Sequence, residues 1–167
     1  SYRLDRLSYL LSEIKLQRDD GSWWLAEGVY GFVDAHEGDG HLMLSHVPEG
    51  HYQALEWTVG VPAPYNHEDP AQWPAGHALN PLVNNMHWDW QGGYIFLAME
   101  GVFRSDKGRS QGFIYHLAHA PQLRKVRMEG SLQVDEDLGV LIDMQVPHLF
   151  RAWDINEASS THSREGD

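Results

Sequence analysis

The stretch from Asn66 to Tyr94, NHEDPAQWPAGHALNPLVNNMHWDWQGGY, limits the fold more than any other part of the chain. Pro70, Pro74 and Pro81 each fix φ and remove a backbone donor, and Gly76, Gly92 and Gly93 loosen what lies around them. Most of the segment therefore cannot be regular helix or strand. A connection this long is uncommon inside a compact domain unless it has a task. It also gathers reactive side chains. His67, His77 and His87 come from a total of eleven histidines, and Trp73, Trp88 and Trp90 from seven tryptophans. Imidazole and indole together in one loop point to a binding or metal site.

The flanking sequence has to hold this loop, and it reads as strands. Gly93 to Arg104 is apolar on both faces through Ile95, Phe96, Leu97, Ala98 and Met99, which predicts a central strand. Gly112 to Ala120 follows the Asp106-Lys107-Gly108 turn. Phe113, Tyr115 and Leu117 lie on one side of it, and Ile114, His116 and Ala118 on the other. Before the loop, Tyr52 to Val59 alternates, with Leu55, Trp57 and Val59 on one face. Further strands are predicted at residues 28–36, 42–47, 125–129 and 138–142, and a short helical turn at 147–153. Tyr2 to Gln17 fits either period: Leu4, Leu7, Leu11 and Ile14 are spaced as on a helix, yet Ile14 and Leu16 alternate with polar residues. Short strands between Gly, Asp and Pro turns predict an all-β antiparallel β-sandwich with little helix. One domain is expected over residues 1–155, with a polar, solvated tail at 156–167.

Composition excludes several functions. The net charge is −12 with no offsetting Lys/Arg cluster, so nucleic acid is not an expected partner. No apolar run is long enough to span a membrane. There is no Cys, so thiolate nucleophiles, disulfides and thiolate metal sites are all absent. The chain starts at Ser and not Met, so it is expected to be processed or trimmed and any signal peptide would already be gone; the lack of Cys fits a cytosolic or an exported bacterial protein alike. No nucleophile elbow, HExxH or phosphate loop occurs, and no general base stands out. The expectation is a binding protein and not an enzyme.

Not every histidine fits a site. His36, His41, His46 and His51 are five residues apart, which sends successive ones to opposite strand faces, so they read as solvated. His119, His148 and His162 show no partner in the sequence. His67 opens the loop, and His116 sits mid-strand. Two neutral imidazoles meeting across a loop and a strand would suit copper or zinc. Trp88 and Trp90 read as packing. Trp73, between two prolines, is either a loop anchor or part of a site. A second reading is a carbohydrate-binding sandwich that stacks exposed Trp and Tyr on sugar, with a structural Ca2+ held by its Asp and Glu. A mononuclear metal enzyme is a third, weaker reading.

Several separated motifs occur together: NHEDPA at 66–71, PL at 81–82, MHWDWQGGYIFLAMEG at 86–101 and GFIYHLA at 112–118. With YRLDRLSYLLSEIKL near the start and PEGHYQALEWTVGVP before the loop, they resemble the MbnP family of methanotroph copper proteins over most of residues 2–150. The resemblance implies a β-sandwich in which Tyr2 to Leu16 is extended, and an exported periplasmic or cell-surface protein. It also implies one copper ion, as Cu(I), held by two histidines and a kynurenine made from a tryptophan. Here those positions are His67, His116 and Trp73. A di-haem MauG-like peroxidase of the MbnH type is the implied partner that oxidises Trp73. An intact indole N–H only donates, whereas kynurenine offers an arylamine nitrogen. Glu68 or Asp69 is expected to orient a ligating imidazole. HLA at 116–118 replaces the family's more usual HLG.

Overall fold

The computed structural model describes residues 1–35, 38, 40–63, 65–89, 92–150, 155 and 159–162. Trp90 and His36 lie outside the described residues. So do residues 151–153 of the expected helical turn and most of the tail.

The chain is all-β and mainly antiparallel. Its strands are β1 (Tyr2–Arg18), β2 (Trp23–Leu25), β3 (Gly31–Asp34), β4 (Gly50–Val59), β5 (His87–Trp88), β6 (Gly93–Arg104), β7 (Ser110–Ala118), β8 (Arg124–Val134) and β9 (Ser160–His162). Helix is confined to α1 (Pro81–Asn84) and short 3-10 turns. The hydrogen-bonded order is β8-β4-β1-β6-β7-β9, with β2 and β3 on β1 and β5 on β6. The expectation of a central β6 holds, because it lies between β1 and β7.

The long first strand makes the architecture. Tyr9 pairs with Leu97 of β6 and with Val33 of β3, so β6 and β3 lie on opposite edges. Leu11 pairs with Val59 of β4 and again with β3, at Gly31. It follows that β6 and β4 use the same edge of β1, one after the other, and diverge into two layers. Such a corner needs a bend. The edge passes from β6 to β4 at Leu10, and just beyond, where the register slips between Ser12 and Lys15, Glu13 takes a left-handed φ of 50°. Two hydrogen bonds pin the bend: Ser12 Oγ donates to Gly60 O at 2.7 Å, and Thr58 Oγ1 donates to Glu13 Oε2 at 2.7 Å. The extended reading of Tyr2 to Leu16 is correct. Its helical spacing misleads because the bends interrupt strict alternation and Ser8 and Ser12 take buried inward positions.

Two clusters fill the two faces of the β1-β6-β7 layer. One contains Leu10, Val61, Leu79, Met86, Trp88, Tyr94, Ile95, Phe96, Ala98 and Ala118, with Tyr30, Phe32, Trp73 and Leu123 packed against it. The other contains Leu7, Met99, Phe103, Phe113 and Tyr115, covered by Val146, Leu149 and Phe150. The central loop lies over the first face, and the turn Val146–Phe150 over the second.

Three sequence expectations fail. Residues 42–47 form no strand: Leu42 and Leu44 are half-buried, but no strand pairs with them and His46 turns into the left-handed region at φ 59°. Residues 138–142 form none either; Leu141 is 94% exposed, so the apolar run has nothing to pack on. The tail, read as solvated, contributes β9, which pairs parallel with β7 and sets His162 in register with His116. On β4 the more deeply buried side is not Leu55, Trp57 and Val59 but Tyr52, Ala54, Glu56 and Thr58. Glu56 tolerates burial because Lys15 Nζ lies 2.8 Å from its carboxylate, Lys125 Nζ 3.4 Å and Arg127 4.0 Å.

Two predictions follow from this packing. A Cβ at Gly101 would lie 2.2 Å from Arg3 O and 2.7 Å from the Phe113 ring, so β1 itself would have to move. Gly101→Ala should cost about 1–3 kcal/mol in urea unfolding. The Lys15 hydrogen bond chiefly, against burial and with Lys125, holds the Glu56 pKa below its ordinary value. Because the folded value is the lower one, this stabilisation is present above pH 4.5, the ordinary value, and is lost as pH falls through the folded value. Glu56→Gln should cost about 1–3 kcal/mol at pH 7, and the gap from the parent should close on acidification.

Candidate metal centre

Strand parity decides which loop and strand residues meet. Between Ile95 and Leu97 the β6–β7 register slips by one residue, since Ile95 faces Ala118 while Leu97 faces Leu117. The extra residue, Phe96, keeps Ile95 on the same side as Ala98 and Ala118, and all four sit in one cluster. Gly93, two residues before Ile95, shares that side. Trp88 does too, as the cross-strand partner of Gly93. His116 and Glu100 join them, because His116 pairs with Ala98 and Glu100 lies two residues further on. One face thus carries Trp88, Gly93, Ala98, Glu100 and His116.

His67 is brought to the same face from the loop. Its Cε1 lies 3.5 Å from where a Gly93 Cβ would be, so glycine leaves room for the ring. Its Nδ1 lies 2.6 Å from Gly92 O. A carbonyl only accepts, so Nδ1 carries the proton and Nε2 keeps a lone pair. The Asn66 side-chain amide lies 3.3 Å from Nε2. A ring held through one nitrogen by a carbonyl, with the other left as a donor atom, is the usual state of a metal-ligating imidazole.

His116 is arranged in the mirror sense. Its Nε2 lies 2.8 Å from Glu100 Oε1, and Arg6 NH1 lies 3.0 Å from the same oxygen. Burial alone would raise the Glu100 pKa, but the bonds from His116 and Arg6 outweigh it and the net shift is downward. Glu100 is therefore ionised near neutrality and accepts, which places the proton on His116 Nε2 and the lone pair on the buried Nδ1. The Trp88 ring lies 6.1 Å from the His116 ring, centre to centre.

Trp73 packs against the core cluster that contains Trp88 and Tyr94. Its indole stacks on His77 at 4.2 Å and 7°, meets Tyr30 edge-on at 5.8 Å, and acts on the hydroxyl of Tyr94. Tyr94 follows Gly93 in β6; its hydroxyl donates to Leu79 O at 2.7 Å, and it shares one core cluster with Leu79 and Trp88. Burial drives the Tyr94 pKa up to about 12, partly countered by Trp73, and burial likewise takes Tyr30 up to about 12. Burial lowers the His77 pKa, and its Nδ1 accepts from Leu79 N at 3.1 Å, so this ring is a neutral, structural one at pH 7. The structure thus brings His67 and His116 to one face with Trp88, and Trp73 packs, with Tyr30, against the core cluster to which Trp88 belongs.

The carboxylates expected to orient a histidine do not. Asp69 Oδ1 caps the turn Pro70–Gln72 through Ala71 N at 2.9 Å, and Glu68 accepts from Gln72 at 3.0 Å. Gly92 O and Glu100 take the orienting role. Sequence reasoning also missed three buried asparagines that fix the loop. Asn66 Oδ1 accepts from Tyr94 N at 2.9 Å, Asn80 caps α1 at Leu82 N and donates to Trp73 O, and Asn84 accepts from Met86 N. Asn80 before Pro81 was the one readable signal, as an N-cap before proline. Trp88 is 8% exposed and so offers no platform for stacking on sugar. Among the described residues no three His, Asp or Glu side chains gather as a metal site. The set His67, His116 and Trp73 has only two such residues.

The fold and the face define an all-β protein with a loop-capped pair of oriented imidazoles. A family model for MbnP matches residues 1–163, and the chain belongs to the MbnP family. The solved structure of MbnP from Methylosinus trichosporium is similar at 12% identity and a TM-score of 0.48, over 80% of this chain and 62% of that one. The chain therefore spans less than two thirds of that protein. No curated protein matches. No helix among the described residues is long and apolar enough to cross a membrane.

Asn66 joins the loop to β6 and touches His67, so it tests this construction. Asn66→Ala leaves the buried Tyr94 N–H without its acceptor and should cost about 1–3 kcal/mol. Faster amide exchange at Tyr94 would identify the cause; unchanged stability would mean that the loop is held by other contacts.

Proposed function

We propose that this member of the MbnP family binds a single copper ion as Cu(I), with His67 and His116 as imidazole donors and a kynurenine formed from Trp73 as the third. The observation that carries the reading is the pair of oriented rings: each has one nitrogen committed to an oxygen acceptor, and both face the Trp88 side of β6. Neutral nitrogen donors suit cuprous copper, and a β-scaffold holds them against the geometry Cu(II) prefers. The Gly92 carbonyl and the Glu100 carboxylate set the two tautomers.

Trp73 as it stands offers only an N–H donor. Oxidative opening of its five-membered ring adds two oxygens to give N-formylkynurenine, and hydrolysis then releases the formyl carbon as formate, so that the net change is one oxygen gained and one carbon lost and an arylamine with a lone pair remains. The oxidising equivalents come from outside the chain, from a di-haem MauG-like peroxidase of the MbnH type. Recruitment of residue 73 to the copper then requires its stack on His77 to open. The protein is read as exported to the periplasm or cell surface, where it handles or helps to acquire copper, and as a binding protein without catalytic activity of its own.

Intact-mass measurement and peptide mapping of protein from its native source should find the indole-to-kynurenine mass change at Trp73. Cu(I) competition titrations should show one equivalent bound, and His67→Ala and His116→Ala should each weaken it by about 100-fold or more. Tight copper on a wholly unmodified chain would remove kynurenine from the reading; full affinity in both alanine variants would remove the site.

A further inference from the structure

Between β8 and the turn Val146–Phe150 the chain runs exposed. Residues 135–145 lie at the surface, and no strand among the described residues pairs with them. Yet Leu138, Val140, Leu141, Ile142 and Met144 are all in this stretch. Large apolar side chains gathered on a surface mark an interaction site. Leu138, Val140, Ile142 and Met144 occupy alternate positions. An extended chain therefore presents these four on one side and Asp143 on the other.

Strand β8 offers the matching template. It ends the hydrogen-bonded order and pairs with β4 alone among the described strands, so its second edge is open. Val126 pairs with Trp57, Met128 with Leu55, and Leu55 in turn with Leu16, so these side chains share one face. Met128 is exposed on it. The opposite face of β8 is basic, where Lys125 and Arg127 flank Glu56. A strand added at this edge needs apolar side chains at one parity and a carboxylate at the other. Residues 138–144 have both.

We infer that residues 138–144 of one copy add to the open edge of β8 in a second copy, antiparallel and reciprocally, to form a two-fold dimer. The register that sets Ile142 opposite Val126 also sets Val140 opposite Met128 and Asp143 opposite Lys125. Charge favours this occupant. Arg124, Lys125 and Arg127 put three cations near the start of β8, and Asp135, Glu136, Asp137 and Asp143 put four carboxylates on the added segment. The chain's own β8 suits the segment less well. It stays paired with β4 up to Val134, so a hairpin closing over residues 135–137 sets Asp143 opposite Glu129, like charge against like. The far end of the segment is also held, because Val146, Leu149 and Phe150 pack on the second core cluster. The contact does not depend on the copper reading.

Sedimentation equilibrium of the parent chain over a range of concentrations should show a reversible dimer. Ile142 is exposed in the single chain, so Ile142→Lys should leave the circular dichroism spectrum unchanged. It should weaken association about ten-fold or more, because a two-fold contact carries the change twice. The chain has no Cys, so the register can be trapped directly. An equal mixture of Val126→Cys and Ile142→Cys variants in a glutathione buffer should form the mixed disulfide dimer in preference to either like pair. A parent that stays monomeric at every concentration overturns the dimer. A dimer that Ile142→Lys leaves intact, or that cross-links only through Val126→Cys to itself, uses another surface and overturns the assignment. A Val126→Cys/Ile142→Cys double variant that closes its disulfide within one chain does so too, since the segment then serves its own β8.

Discussion

One extra residue in β6 decides which side chains can meet. Without the slip at Phe96, Gly93 and Trp88 would face away from His116, and the loop carrying His67 would cover the wrong side of the sheet. The bulge has no chemistry of its own. It aligns the start of β6, where the loop is anchored, with the middle of β7, where His116 sits. The anchoring is local and polar: Asn66 holds Tyr94 N, and His67 holds Gly92 O. Tyr94, next to Gly93, belongs to the core cluster of Trp88, and Trp73 packs against it.

The scaffold that carries this alignment depends on a second irregularity. β6 and β4 take the same edge of β1 on either side of Leu10, and Glu13 adds a left-handed irregularity within the part that pairs with β4. A left-handed residue other than glycine costs roughly 1–2 kcal/mol. Bonds from Ser12 and Thr58 on either side of the bend offset it. Close backbone approaches then leave no side-chain room at Gly101 and Gly60, where a Cβ would come within 2.7 Å of Phe96. The layers are thus fixed by steric limits as much as by apolar burial.

Much of this was legible in the sequence. β6 and β7 declared themselves because their apolar residues occupy both faces or alternate cleanly. The family motifs also resolved the ambiguous β1. What failed shares a cause: residues 42–47 and 138–142 have the alternation of strands but no partner, and alternation alone does not report pairing. The site divided in the same way. His67 and His116 were readable by residue type and motif. Their orienting partners were not, because a main-chain carbonyl at Gly92 and a carboxylate on a neighbouring strand leave no local signature. Bulges are equally silent in a single sequence, so the alignment of Gly93 and Trp88 with His116 could not be foreseen.

The central claim is spatial, and anomalous diffraction from crystals of the copper-loaded protein tests it most directly. The account predicts one copper peak on the Trp88 side of β6, within bonding distance of His67 Nε2 and His116 Nδ1. A peak bound to neither ring, or no ordered copper in crystals grown with it, would contradict the account.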